Sequence, residues 1–175
     1  MQHATLDRLE AGLAEVLGSP NDAGTVALIV RRPAATEREV VSEAQLDVAH
    51  GLVGDSWGTR PLVNPKAQLT LMNDRVARLV AVAPERRPLA GDQLYVDLDL
   101  SAANLPPGSR LAVGTALIEI SDEPHTGCLG FQQRFGKDAL RFLSTPRGRE
   151  LNLRGVNAFV VNAGTVRVGD RIARA

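Results

Sequence analysis

Cys128 is the only cysteine in the 175-residue chain, and it stands in Pro124-His125-Thr126-Gly127-Cys128-Leu129-Gly130. Two glycines and a proline argue against helix or central strand, so this stretch reads as a loop that presents a thiol. The thiolate is a nucleophile and a soft metal ligand, and His125 favours that form if it is protonated and folded back on the sulfur. By residue type alone a single cysteine is more often a small buried hydrophobe. Such a cysteine sits in an apolar run, whereas here the neighbours are Gly, Thr, His and Pro, which brings the chemical reading level with the structural one. Of the three histidines, His3 lies near the terminus and His50 ends an expected strand, which leaves His125 as the one to position or deprotonate Cys128. The alternative is an exposed loop histidine.

The elements that must hold this loop are mostly strands. Leu94, Val96, Leu98 and Leu100 alternate with Gln93, Tyr95, Asp97 and Asp99, the period of a half-buried strand. Strands are also expected over Thr25–Arg32, around Leu46 and Val48, over Gln68–Met72, Arg110–Val113 and Ala116–Ser121, and near Val156–Asn162 and Thr165–Ile172. Leu6, Leu9, Leu13, Val16 and Leu17 recur at helical spacing before Gly18 and Pro20, giving an amphipathic helix within residues 1–20 whose stripe is a packing or dimer face. Shorter helices follow Asn73, an N-cap, and span about Lys137–Leu143. Many short strands with glycine turns and few long helices favour a mainly β fold over residues 21–175, a closed or nearly closed and mostly antiparallel barrel with a few peripheral helices. No GxGxxG or GxxxxGK[ST] motif is present.

Composition narrows the function. Balanced charge, 20 basic and 20 acidic residues, argues against a nucleic-acid partner, because that binding rests on phosphate neutralisation by a basic face. Lys66 and Lys137 are the only lysines and neither lies in a recognisable Schiff-base site, so pyridoxal phosphate is not expected on this chain. No stretch approaches the ~20 apolar residues of a membrane span, and no signal-peptide pattern opens the chain, so the expectation is no membrane and a cytoplasmic location. One cysteine excludes an internal disulfide and an iron–sulfur cluster held by four cysteines of one chain, so electrons for redox turnover would come from a partner.

Several segments in order resemble a known family: Gly51-Leu52-Val53-Gly54-Asp55, Gly91-Asp92-Gln93-Leu94, Asn104-Leu105-Pro106-Pro107-Gly108, the Pro124–Cys128 loop with Arg134-Phe135-Gly136 after it, Arg154-Gly155-Val156, and Gly164-Thr165-Val166-Arg167-Val168-Gly169-Asp170. Together they resemble a MOSC domain, the module named for the C-terminal part of molybdenum cofactor sulfurases. The resemblance implies that Cys128 binds a molybdenum cofactor as metal ligand or carries sulfur as a persulfide, two uses the sequence leaves open. It singles out Arg154 for an anionic cofactor's phosphate, against an exposed structural ion pair, and Asp55 and Asn104 for a pterin edge, against turn roles. Ser101 is a further candidate donor to the same ligand, or an N-cap. Where many members carry a histidine-rich segment, this chain reads Asp55-Ser56-Trp57-Gly58-Thr59-Arg60-Pro61, so no ligand role carries over to that loop; Trp57 either shields the pocket or packs. About fifty residues precede Gly51, too few for a desulfurase domain, so an external sulfur or electron donor protein is implied. The expected activity is sulfur transfer or reduction of N-hydroxylated small molecules; the alternatives are a carrier without turnover, and a barrel that binds neither and keeps a redox-sensitive thiol.

Overall fold

The computed structural model describes residues 3–175. The chain opens with α1 (Leu6–Leu17), capped by Thr5, whose hydroxyl accepts from Arg8 N–H, and closed by Gly18. Strands β1 (Ala23–Arg31), β2 (Glu39–Val41), β3 (Glu43–Asp47), β4 (Gly51–Leu52) and β5 (Leu69–Asn73) follow. After α2 (Asp74–Ala81) and a 3-10 stretch over Pro84–Ala90 come β6 (Leu94–Asp97), β7 (Arg110–Val113) and β8 (Ala116–Ile120). Three helices, α3 (Leu129–Phe135), α4 (Lys137–Ser144) and α5 (Pro146–Glu150), lead into β9 (Val156–Asn162), β10 (Gly164–Arg167) and β11 (Arg171–Arg174).

Seven strands form a closed barrel in the order β11-β7-β8-β9-β5-β6-β1, and β1 returns to β11 through Ala23 opposite Ala173. Every neighbouring pair is antiparallel except β5–β6, whose parallel pairing requires the crossover that α2 supplies. Strand β2 extends β1 at its far end, and β10, β3 and β4 make a small side sheet. The mainly β, barrel-forming expectation is met.

Period-2 alternation divides the apolar side chains between two cores. Leu69, Leu71, Leu94, Val96, Ile118 and Ile172 fill the barrel, while Met72 and Tyr95, their neighbours in sequence, join the second cluster with Leu9, Val76, Phe131, Phe135 and Phe142 under the helices. Helix α1 buries Leu9 and Val16 in that second cluster, so the amphipathic stripe is a packing face.

Three expected elements differ from the structure. The strand expected to reach Leu100 ends at Asp97, because Asp99 turns the chain by accepting from Ser101 N–H and Oγ–H; Leu98 and Leu100 stay buried. The strand expected over Thr165–Ile172 is two, separated by a turn at Gly169 with φ of 92° and by Asp170, whose carboxylate accepts from Arg167 N–H. Helix α3 begins at Leu129, inside the stretch read as loop.

Candidate functional site

The site is built on one buried carboxylate. Asp92 follows the 3-10 stretch Pro84–Ala90 and immediately precedes β6, with its side chain fully out of solvent. Burial alone would raise its pKa, yet Arg154 and His125 outweigh it and hold the carboxyl down to about 2. Its Oδ2 accepts from Arg154 Nη1 at 2.7 Å, and its Oδ1 lies 2.7 Å from His125 Nε2.

An ionised carboxylate can only accept, so Nε2 of His125 carries the proton and Nδ1 keeps a lone pair. Burial, first, and the Arg154 charge push the His125 pKa below its ordinary value, which makes a neutral imidazole the resting form. Among the described residues Nδ1 has no hydrogen-bond partner, so it is an acceptor open to a ligand.

Arg154 is buried, donates from Nη2 to the Ala90 carbonyl at 3.1 Å, and lays its guanidinium 5.1 Å from the Phe131 ring centroid. Its Nε is buried with no partner. A buried donor left unsatisfied costs on the order of 1–3 kcal/mol, which a ligand acceptor would offset. The position depends on Gly155: φ there is 105°, and a Cβ would stand 2.2 Å from the Leu71 carbonyl oxygen and 3.3 Å from His125 Cδ2.

His125 and Arg154 both line a cleft of about 360 Å³ together with Thr126, Gly127, Ser144 of α4, Arg149 of α5 and Asn152. That volume falls within the range of small-molecule sites. Cys128 follows at the end of the same loop, as the N-cap of α3, and is exposed. A Cβ at Gly130 would make only ordinary van der Waals contact with Sγ, at 3.7 Å. His125 is turned to Asp92, and among the described residues no hydrogen bond joins it to Cys128. The thiol therefore has no imidazolium beside it of the kind that a folded-back, protonated His125 would provide.

The other residues singled out in the sequence lie elsewhere. Asp55 is buried, accepts from Arg32 through both oxygens, and caps the 3-10 turn Ser56–Thr59 through Trp57 N–H. Trp57 is buried. Ser101 donates to Asp99, and Asn104 donates to the Asn21 and Asp99 carbonyls. None of Asp55, Ser101 and Asn104 lines the cleft. Asp92, which organises the site, was legible only as half of a Gly-Asp turn.

The chain matches no protein-family model and none of the curated proteins. Solved structures do share the fold. The YuaD protein of Bacillus subtilis superposes with a TM-score of 0.64 at 16% identity, covering 86% of this chain and 94% of its own. YiiM from Geobacillus stearothermophilus gives 0.62 at 12% identity over 87% of this chain and 75% of its own, and YiiM from Escherichia coli 0.57 at 19% over 86% and 69%. At these identities the likeness is one of fold.

Proposed function

We propose that this chain is a MOSC-type barrel that takes a molybdenum cofactor, or carries sulfur destined for one, through Cys128. The observation that supports the reading best is an exposed thiol at the end of a loop whose other end is fixed, through His125, to a buried Asp92–Arg154 pair at a cleft. Among the described residues no three His, Cys, Asp or Glu side chains lie together as a metal site. A bare ion would thus find one thiolate donor, whereas a metal that arrives with its own pterin dithiolene needs little more. The orphaned Arg154 Nε and the exposed Arg149 fit the anionic part of such a group. When bound, the cofactor supplies oxygen-atom and two-electron redox chemistry. In that setting Cys128 would hold the metal, Arg154 would orient the anion, and Nδ1 of His125 would accept a proton or hydrogen bond from a bound small molecule. Electrons would come from a separate donor protein. In the sulfur-carrier form the same Sγ would bear a persulfide, with the transferred sulfur taken from another protein's persulfide and that protein's thiolate leaving.

The experiment is metal, pterin and cyanide-labile sulfur content per chain, after expression in a cofactor-producing host, for wild type, Cys128→Ala and Arg154→Ala. Molybdenum in wild type, its loss in Cys128→Ala and a partial loss in Arg154→Ala are expected for the metal-ligand form. Labile sulfur without molybdenum indicates the carrier form. Equal molybdenum in wild type and Cys128→Ala, or neither metal nor labile sulfur in wild type, overturns the proposal.

A further inference from the structure

We propose that Arg38 and Arg134 form a binding site for a doubly charged oxyanion, inorganic phosphate or a phosphate monoester, against Gly91. Three guanidinium groups meet at this glycine. Arg32 Nη1 donates to the Gly91 carbonyl at 2.8 Å, while Arg38 Nη2 and Arg134 Nη1 each lie 3.7 Å from the point that a Cβ on residue 91 would occupy. Arg32 is neutralised by Asp55. Arg38 and Arg134 are not: among the described residues neither forms an ion pair, and the nearby Glu39 is taken by Arg31. Their bonds go to backbone carbonyls, Arg38 Nη1 to Ala35 and Glu37 and Arg134 Nη1 to Leu89, so the two charges are held in place by neutral acceptors.

Free donors remain on both. Arg38 Nε is buried without a partner, and among the described residues neither Arg38 Nη2 nor Arg134 Nη2 has one. The pKa of Arg38 is lowered by burial first and then by the Arg134 and Arg32 charges, with Tyr95 and Asp55 pulling the other way. Holding like charges together costs free energy, and a dianion with planar, bidentate contacts to guanidinium relieves it. Arg32, Arg38, Gly91 and Arg134 are all half-buried. A tetrahedral oxyanion of charge −2 matches the two cations Arg38 and Arg134, which a carboxylate would not. The site needs neither Cys128 nor a metal.

The test is isothermal titration of inorganic phosphate at constant ionic strength into protein made without cofactor, for wild type, Cys128→Ala, Arg38→Gln, Arg134→Gln and the exposed Arg141→Gln. One saturable site is expected in wild type, Cys128→Ala and Arg141→Gln, weakened roughly tenfold or more by each of the other two. If Arg38→Gln fails to fold, Arg134→Gln carries the comparison alone. No saturable binding in wild type, or unchanged binding in Arg134→Gln, overturns the assignment. Repeating the titration on protein with an occupied cleft separates the sources. Loss of phosphate binding means that the cleft's own ligand carries the phosphate, and retention means that a second molecule does.

Discussion

Asp92 joins the Arg154 cation and the neutral His125 ring in the interior, so its loss is expected to leave Arg154 buried without a counter-charge. Breaking such a pair from one side costs about 3–5 kcal/mol, and Asp92→Asn should lower the urea midpoint accordingly while keeping the barrel's circular dichroism. The same carboxylate sets an acid limit. Its folded pKa of about 2 lies below the ordinary 3.8, so its contribution is complete above about pH 4 and is lost as pH falls towards 2. His125 acts at higher pH. Its folded pKa lies below 6.5, so the unfolded chain takes up that proton first and stability declines as pH drops through 6.5. Unfolding free energy measured from pH 8 down to about 2 should therefore fall in two stages, and His125→Gln should remove the upper one. A single stage in wild type would refute the assignment of a neutral, largely buried imidazole. Cys128, being exposed, should react with a thiol reagent at the same rate in native and urea-unfolded protein within about tenfold; labelling only after unfolding would contradict its placement.

Helix α3 ties that thiol to the second core. It has seven residues, buries Phe131 and Phe135 with ring centroids 4.8 Å apart, and receives Arg154 on one ring and Arg86 on the other. Phe135→Ala is expected to cost about 3–5 kcal/mol in chemical denaturation, because a fully buried ring leaves a cavity. The helix was hard to read in the sequence for a physical reason. Gly127 and Gly130 bracket its start and no Ser, Thr, Asp or Asn caps it, so local propensity points to loop and only the burial of two phenylalanines makes it helix. Strand β6 was legible as a strand from its alternation, but the face expected to be wet is not wet: Gln93 and Tyr95 are fully buried, Tyr95 in the second core. Thr165–Ile172 read as one strand because only Gly169 marks the turn that divides it. The site was half legible. A loop cysteine, a nearby histidine and an arginine are identifiable by type, but Asp92 lies 33 residues from His125 and 62 from Arg154, and nothing local reports contacts at that separation. For the same reason Asp55, Asn104 and Ser101 stood out equally well, and all three serve turns or ion pairs away from the cleft.

The two cores share strands β1, β5 and β6, whose alternate residues face the barrel interior and the helical layer, so these layers are expected to stabilise each other. Removing residues 1–18 would expose the apolar partners of Leu9 and Val16 in the second cluster while leaving every barrel pairing intact. The truncated chain should keep its β-sheet signal, bind a hydrophobic dye and unfold at lower urea than the full chain; an unchanged midpoint would show that α1 adds nothing to the fold. Among the described residues no helix is long and apolar enough to cross a membrane. The pairing that closes the ring, Ala23 with Ala173, also orders events during synthesis. As the chain leaves the ribosome, this end of β1 is made long before β11, and the backbone N–H and C=O groups of that edge stay open until β11 has emerged. A strand left unpaired for that time is a template for pairing with another nascent chain. The barrel's closure thus leaves a strand edge exposed during synthesis, for a time that slower elongation lengthens and chaperone cover would protect.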